Sequence, residues 1–181
     1  MRLKRGISCK KKEGIGMKRF YAVFIGVVLA LALVVPAYAA DEWVKKFNDI
    51  LVKGPSEGNW QVKADDVAAW MRAKKTDFLI VDVRPNPPGQ QGGKIPGALF
   101  IPYNEILKAD NLKKLPKNKK LVLVCVTGQT QNLPVLALRA LGYDARTMSF
   151  GHPAWIKGYF GGQLMQQAIQ NAAAKNYPVE K

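Results

Sequence analysis

Apolar residues in this chain fall into short unbroken blocks, and the stretches between them show helical spacing or are rich in glycine and proline. "FLIVDV", Phe78 to Val83, and "LVLVCV", Leu121 to Val126, have no polar alternation, so they read as strands buried on both faces. "WQV", "ALFIP" and "ARTMSF" are three shorter strand candidates. Helices are expected over Glu42 to Val52, where Trp43, Phe47, Ile50 and Leu51 share a face, and over Ala64 to Ala73, with Asp65 and Asp66 at its positive end. Another is expected over Gln131 to Leu141, closed by Gly142. Tyr103 to Leu107, "HPAWIKGYF" and Gln163 to Ala174 are also read as helical. Strands alternating with helices predict an α/β fold: a doubly wound, mostly parallel five-stranded sheet with helices on both faces.

The N-terminus changes the picture that bulk composition paints. The 181 residues carry 28 Lys and Arg against 13 Asp and Glu, a formal charge of +15. Met17-Lys18-Arg19 precedes an uncharged apolar run from Phe20 to Ala40, which ends in the small-x-small pattern Ala37-Tyr38-Ala39. That order describes a secretory signal over residues 1–39, with Met17 able to serve as the true start. The competing reading is an uncleaved membrane anchor. Removing residues 1–39 leaves 20 basic and 12 acidic residues, a net charge of +8. The remaining lysine clusters, Lys113-Lys114 and Lys117 to Lys120, are not interleaved with aromatics. A solvated basic face is therefore expected, with no nucleic-acid partner. The expected location is periplasmic or secreted, with a membrane partner only if the signal stays attached.

Cleavage would also remove Cys9, leaving Cys125 as the single thiol and His152 as the single imidazole. An internal disulfide is then impossible, and four-ligand zinc has too few donors. No metal and no cofactor is expected. A lone thiol bound for an oxidising compartment is either buried filler or kept for its reactivity. Its position bears on the choice. Cys125 ends a buried strand, and ligands of open α/β sheets bind beyond the carboxyl ends of strands. In "CVTGQT", Gly128 permits a tight turn, and the next helix directs its N-terminus back toward the sulfur. Successive backbone N–H groups would line a small anion-binding bowl, suited to a thiolate or a persulfide.

These segments resemble a known family. "FLIVDVR" with Asp82 and Arg84, "GGKIPGALFIP", "LVLVCVTGQT" and "ALRALGYDARTMSFGHPAWIKGY" stand in the order and at the spacings of a rhodanese domain, the single-domain sulfurtransferase type. The resemblance runs from about Trp60 to Tyr159. It divides the chain into the signal, an N-terminal helix and linker over residues 40–59, a rhodanese-like domain over 60–160 and a C-terminal helical extension over 161–181. It implies a two-step transfer, in which Cys125 takes sulfane sulfur as a persulfide and a thiophilic acceptor then removes it. Val126, Thr127, Gly128, Gln129 and Thr130 would bind the substrate, Thr130 adding a hydroxyl. The implied partners are a small sulfur-containing donor (thiosulfate, polysulfide or a persulfide) and an acceptor, which can itself be a protein. The alternative is a non-turnover carrier or binding module that delivers sulfur to a partner protein.

Several positions depart from the family pattern. Lys94 stands where His is usual, His152 replaces the second Gly of a Gly-Gly pair, and the cysteine loop has no basic residue. Charge for a donor would have to come from Arg84, Lys94 or His152; His152, just before Pro153, reads either as a structural cap of the helix carrying Trp155 or as an imidazole that titrates near neutral pH and supplies part of that charge. Asp82 reads as an organiser of the loop or a partner of Arg84; Trp155 and Tyr159 read as packing residues. A phosphatase would need Arg at position 131, which is Gln, and thioredoxin chemistry would need Cys at 128, which is Gly.

Overall fold

The computed structural model describes residues 41–175 and 177–180. The signal expected over residues 1–39, the expected cleavage site and Cys9 lie outside them. The chain divides into two compact units, Met1–Lys45 and Lys46–Lys181. Of the first, only residues 41–45 are described, and they are helical. Among the described residues no helix is long and apolar enough to cross a membrane.

The second unit opens with helix α1, residues 46–53, and a kinked 3₁₀ segment, Pro55–Trp60. Five strands follow: β1 Gln61–Val62, β2 Phe78–Asp82, β3 Leu99–Phe100, β4 Lys120–Val124 and β5 Asp144–Met148. They form one sheet in the order β1-β5-β4-β2-β3, and every pairing is parallel. The two longest apolar blocks, β4 and β2, take the central places, where both faces are covered. Helices α2 Ala64–Arg72, α3 Ala109–Leu112, α4 Asn132–Ala140 and α5 Phe160–Lys175 complete the fold.

Two cores result from the period-two alternation of the strands. On one face Val81, Leu121, Leu123 and Cys125 pack with Val135 and Leu138 of α4, with Leu112 of α3 against them. On the other Ile80, Val122, Val124 and Met148 pack with Val67 of α2, joined by Trp70 and Trp155. The fold is thus the expected doubly wound sheet, wholly parallel.

Two segments depart from the sequence reading. Tyr103 to Leu107 is a run of turns, closed by Glu105 N–H donating to the Pro102 carbonyl at 2.9 Å and Lys108 N–H to the Glu105 carbonyl at 3.0 Å. Those are three-residue steps, and Asn111 Nδ2 donates to the Glu105 carbonyl as well, so the helix forms only at Ala109. The "HPAWIKGYF" segment is a 3₁₀ turn, His152–Ala154, followed by irregular chain, because Gly158 adopts a positive φ of 73° and ends helical progress. Helix α5 then starts earlier than expected, at Phe160.

Candidate active site

Cys125 follows the last residue of β4 and faces the α4 core, with no solvent exposure. Both of its backbone groups are held. Its N–H donates to Gln131 Oε1 at 2.8 Å, and Gln131 Nε2 donates in turn to the Met148 carbonyl at 2.6 Å. Its carbonyl accepts the His152 N–H at 3.0 Å and lies 3.0 Å from His152 Nδ1. Gln131 and His152 thus fasten the cysteine to the end of β5. Gln131 is a residue that sequence reasoning missed. Its signal in the sequence is a long amide, with both a donor and an acceptor, just before a helix.

The loop after Cys125 folds back over it. Gly128 has φ 86°, and a Cβ there would lie 2.8 Å from Phe150 Cα. Opposite it Gly151 has φ 63°, and its Cβ would lie 2.5 Å from the Cys125 carbonyl oxygen and 2.6 Å from Gly128 N. Two glycines facing each other let the two backbones touch. The N–H groups of Val126, Thr127, Gly128, Gln129 and Thr130 donate to no acceptor among the described residues. The first N–H after the loop that is paired internally is Asn132, bonded to the Gln129 carbonyl at 3.1 Å. With the Gln131 N–H, six consecutive donors after Cys125 lack a partner among the described residues, an arrangement able to cradle an anion. Val126 and Thr127 are half-buried, Gln129 is exposed, and the Thr130 hydroxyl makes no bond to the described residues.

The basic groups named from the sequence have other occupations. Arg84 is fully buried, and all five of its donors are placed. Nε faces Asp82 Oδ1 at 2.9 Å and Nη2 faces Asp82 Oδ2 at 2.6 Å; Nη2 also serves the Gly93 carbonyl at 2.6 Å. Nη1 serves the Gln91 carbonyl at 2.8 Å and Tyr159 Oη at 3.1 Å. Burial alone would lower its pKa, but the bonds to Asp82 and Tyr159 outweigh that and raise it above the ordinary value. Arg84 therefore shapes the chain from Asp82 to Gly93 and has no donor left for a substrate. Lys94 is exposed, its Nζ 3.4 Å from the Ala98 carbonyl, and no contact among the described residues joins it to the cysteine loop.

His152 stands on the structural side of its two readings. Its ring is fully buried against Tyr159, with centroids 5.4 Å apart. The carbonyl of Cys125 can only accept, so Nδ1 carries the proton. Nε2 has no hydrogen-bond partner among the described residues and stands 3.9 Å from Asp82 Oδ2, beyond bonding reach. Burial, aided by the Arg84 charge, pulls the pKa below its ordinary value; the bond to the Cys125 carbonyl and the Asp82 charge oppose this. A protonated imidazole at the mouth is therefore not what this residue provides, because the fold turns the ring inward as a neutral brace.

Among the described residues, no group of His, Cys, Asp and Glu could hold a metal ion. The arrangement can instead hold a negatively charged sulfur by backbone amides alone, beside neutral side chains.

No curated protein matches this chain. Solved structures do. A rhodanese-like domain protein from Staphylococcus aureus is 31% identical over 55% of this chain and 94% of that chain, with a TM-score of 0.47. A rhodanese-related protein from Thermoplasma volcanium is 26% identical over 55% and 93%, with a TM-score of 0.46. A protein from Lactobacillus plantarum is 20% identical over 66% and 94%, with a TM-score of 0.51. The family model described as "Rhodanese-like domain" matches residues 63–157, from the approach to α2 through the turn that carries Trp155. This chain belongs to the rhodanese-like domain family.

Proposed function

We propose that this protein is an exported sulfurtransferase that carries sulfane sulfur on Cys125. The observation that supports it most is the run of N–H groups from Val126 to Thr130, unpaired among the described residues, directly after the only described cysteine. In the first step the Cys125 thiolate attacks the outer sulfur of a donor. A bond forms between Sγ and that sulfur, the donor's own bond to it breaks, and the electron pair leaves with the donor's remainder as sulfite or a thiolate. In the second step cyanide, sulfite or a thiolate takes the outer sulfur and the Cys125 thiolate returns. Each step conserves charge, and no oxidant is consumed. The outer sulfur of the persulfide lies about 2 Å beyond Sγ, one S–S bond length. The covalent relay splits one hard transfer into two easier ones.

Complete burial suits such a thiol in an oxidising compartment, since accessible thiolates climb the oxidation ladder. The apolar run from Phe20 ending in Ala37-Tyr38-Ala39 supports export. The test is mass spectrometry of the mature protein after polysulfide or thiosulfate. A 32-dalton gain on Cys125, discharged by cyanide or sulfite and absent in Cys125→Ser, is the expected result. A folded wild-type protein that gains no sulfur from any donor would sink the reading.

A further inference from the structure

Helix α5 begins past residue 157, where the family match ends, and its first turn is seated on the cysteine loop. Gly161 comes so close to the Val126 carbonyl that no side chain would fit between them. From that anchor Leu164, Met165, Ala168 and Ile169 run along one face of the helix, four residues apart in pairs. With Val126, Thr127 and Gln129 of the loop they enclose a groove of about 570 Å³. That lies within the range of sites for small organic molecules, roughly 300–1,000 Å³. Leu164 is 55% exposed and Ile169 68%, and Tyr177 and Val179 beyond the helix stay exposed, so no described residue covers the groove.

The walls carry no charge. The chain from Val126 to Leu138 has no ionisable side chain, and neither has α5 from Phe160 to Ala174, in a protein otherwise rich in lysine. Arg84 is consumed by Asp82, Gln91, Gly93 and Tyr159, Lys94 rests on Ala98, and His152 is buried. A dianion such as thiosulfate would lose water here and gain no cation in return. An apolar substituent would lose nothing by entering and would cover Leu164 and Ile169.

Resting on the sulfurtransferase reading, we propose that the donor is an organic sulfane-sulfur compound whose apolar substituent lies in this groove, with Leu164, Met165, Ala168 and Ile169 setting specificity. Alkanethiosulfonates, RSO₂–S⁻, are the probe. The Cys125 thiolate attacks the outer sulfur, the bond from that sulfur to the sulfonyl sulfur breaks, and the pair leaves as the sulfinate RSO₂⁻. Two negative charges enter and two leave.

The experiment measures the second-order rate of Cys125 persulfide formation with methane-, propane-, butane- and hexanethiosulfonate, by mass shift and sulfinate release. The rate is expected to rise at least about tenfold from methane- to butanethiosulfonate, since each buried methylene is worth roughly 0.8 kcal/mol, about fourfold. In Leu164→Gln and Ile169→Gln that preference should collapse to within about twofold. Both sites are exposed, so the fold is kept, and an unchanged unfolding midpoint checks it. Ala168→Leu, which fills the groove, should act selectively against hexanethiosulfonate. Loading at a rate indifferent to R, or a preference for long R that survives all three substitutions, overturns the inference and leaves sulfur transfer standing. Failure of every donor to load Cys125 overturns both.

Discussion

At the scale of single residues, two side chains that a sequence offers as substrate clamps turn out to brace the site from below. Arg84 spends its donors on Asp82, two carbonyls and Tyr159. Arg84→Leu should therefore leave Asp82 as an uncompensated buried charge and lower stability by about 3–5 kcal/mol. Urea unfolding measures that loss. A stable variant with a weakened donor KM would instead make Arg84 a binding residue. His152 has a depressed pKa, caused first by burial, so the unfolded chain binds its proton more readily than the native one. The stability that the neutral ring contributes is present above the unfolded value, near pH 6.5, and is lost as pH falls below it. His152→Asn keeps a donor for the Cys125 carbonyl and removes the titration. Its melting temperature should fall less than that of wild type between pH 7.5 and 5.5. Sulfur transfer should show no titration in that window that depends on His152; a titration that vanished in the variant would return the imidazole to the reaction.

At the scale of elements, the contact between α5 and the cysteine loop sets two neighbouring glycines against each other. Alanine favours a helix over glycine by about 0.5–1 kcal/mol, so propensity alone predicts that either replacement stabilises α5. At Gly162 a Cβ would sit 3.5 Å from the Pro153 Cβ, an ordinary contact. Gly162→Ala should be neutral or stabilising by up to about 1 kcal/mol, read by thermal unfolding. At Gly161 the added methyl meets the Val126 carbonyl, and rigid backbone yields little. Gly161→Ala should lift the helix or shift the loop and slow persulfide formation by up to about a hundredfold, the scale of a 1 Å misplacement. Equal behaviour of the two variants would mean that α5 is not seated on the loop. The helix itself is legible in the sequence over Gln163 to Ala174. Its seat is not, because Gly161 makes its contact with backbone 35 positions earlier.

At the scale of the whole molecule, the sheet order places β4 between β5 and β2, so the cysteine emerges at the middle of the carboxyl edge. The end of β2 and the chain after it carry Asp82 and Arg84, and the chain after β5 carries His152, whose ring lies on the Cys125 carbonyl. Export belongs to this scale too. N-terminal sequencing of the native protein is expected to begin near Ala40, after Ala37-Tyr38-Ala39. A native chain still carrying Phe20 to Val35 would mean an anchored domain instead.

What the sequence determined by itself was set by local signals. Continuous apolar blocks cannot face water on either side, so β2 and β4 had to lie inside a covered parallel sheet. A cysteine ending such a block, followed by Gly128 and an apolar helix, had to stand at the carboxyl edge. Tertiary structure decided everything that depends on distant backbones arriving within 3 Å. It turned His152 inward to the Cys125 carbonyl, gave Gln131 the Cys125 N–H and the Met148 carbonyl, and used up Arg84 on its own loop. It also laid the uncharged face of α5 along an uncharged loop. Periodicity tells which face of an element is buried, but not which partner buries it, and the chemistry of this site lies in the partners.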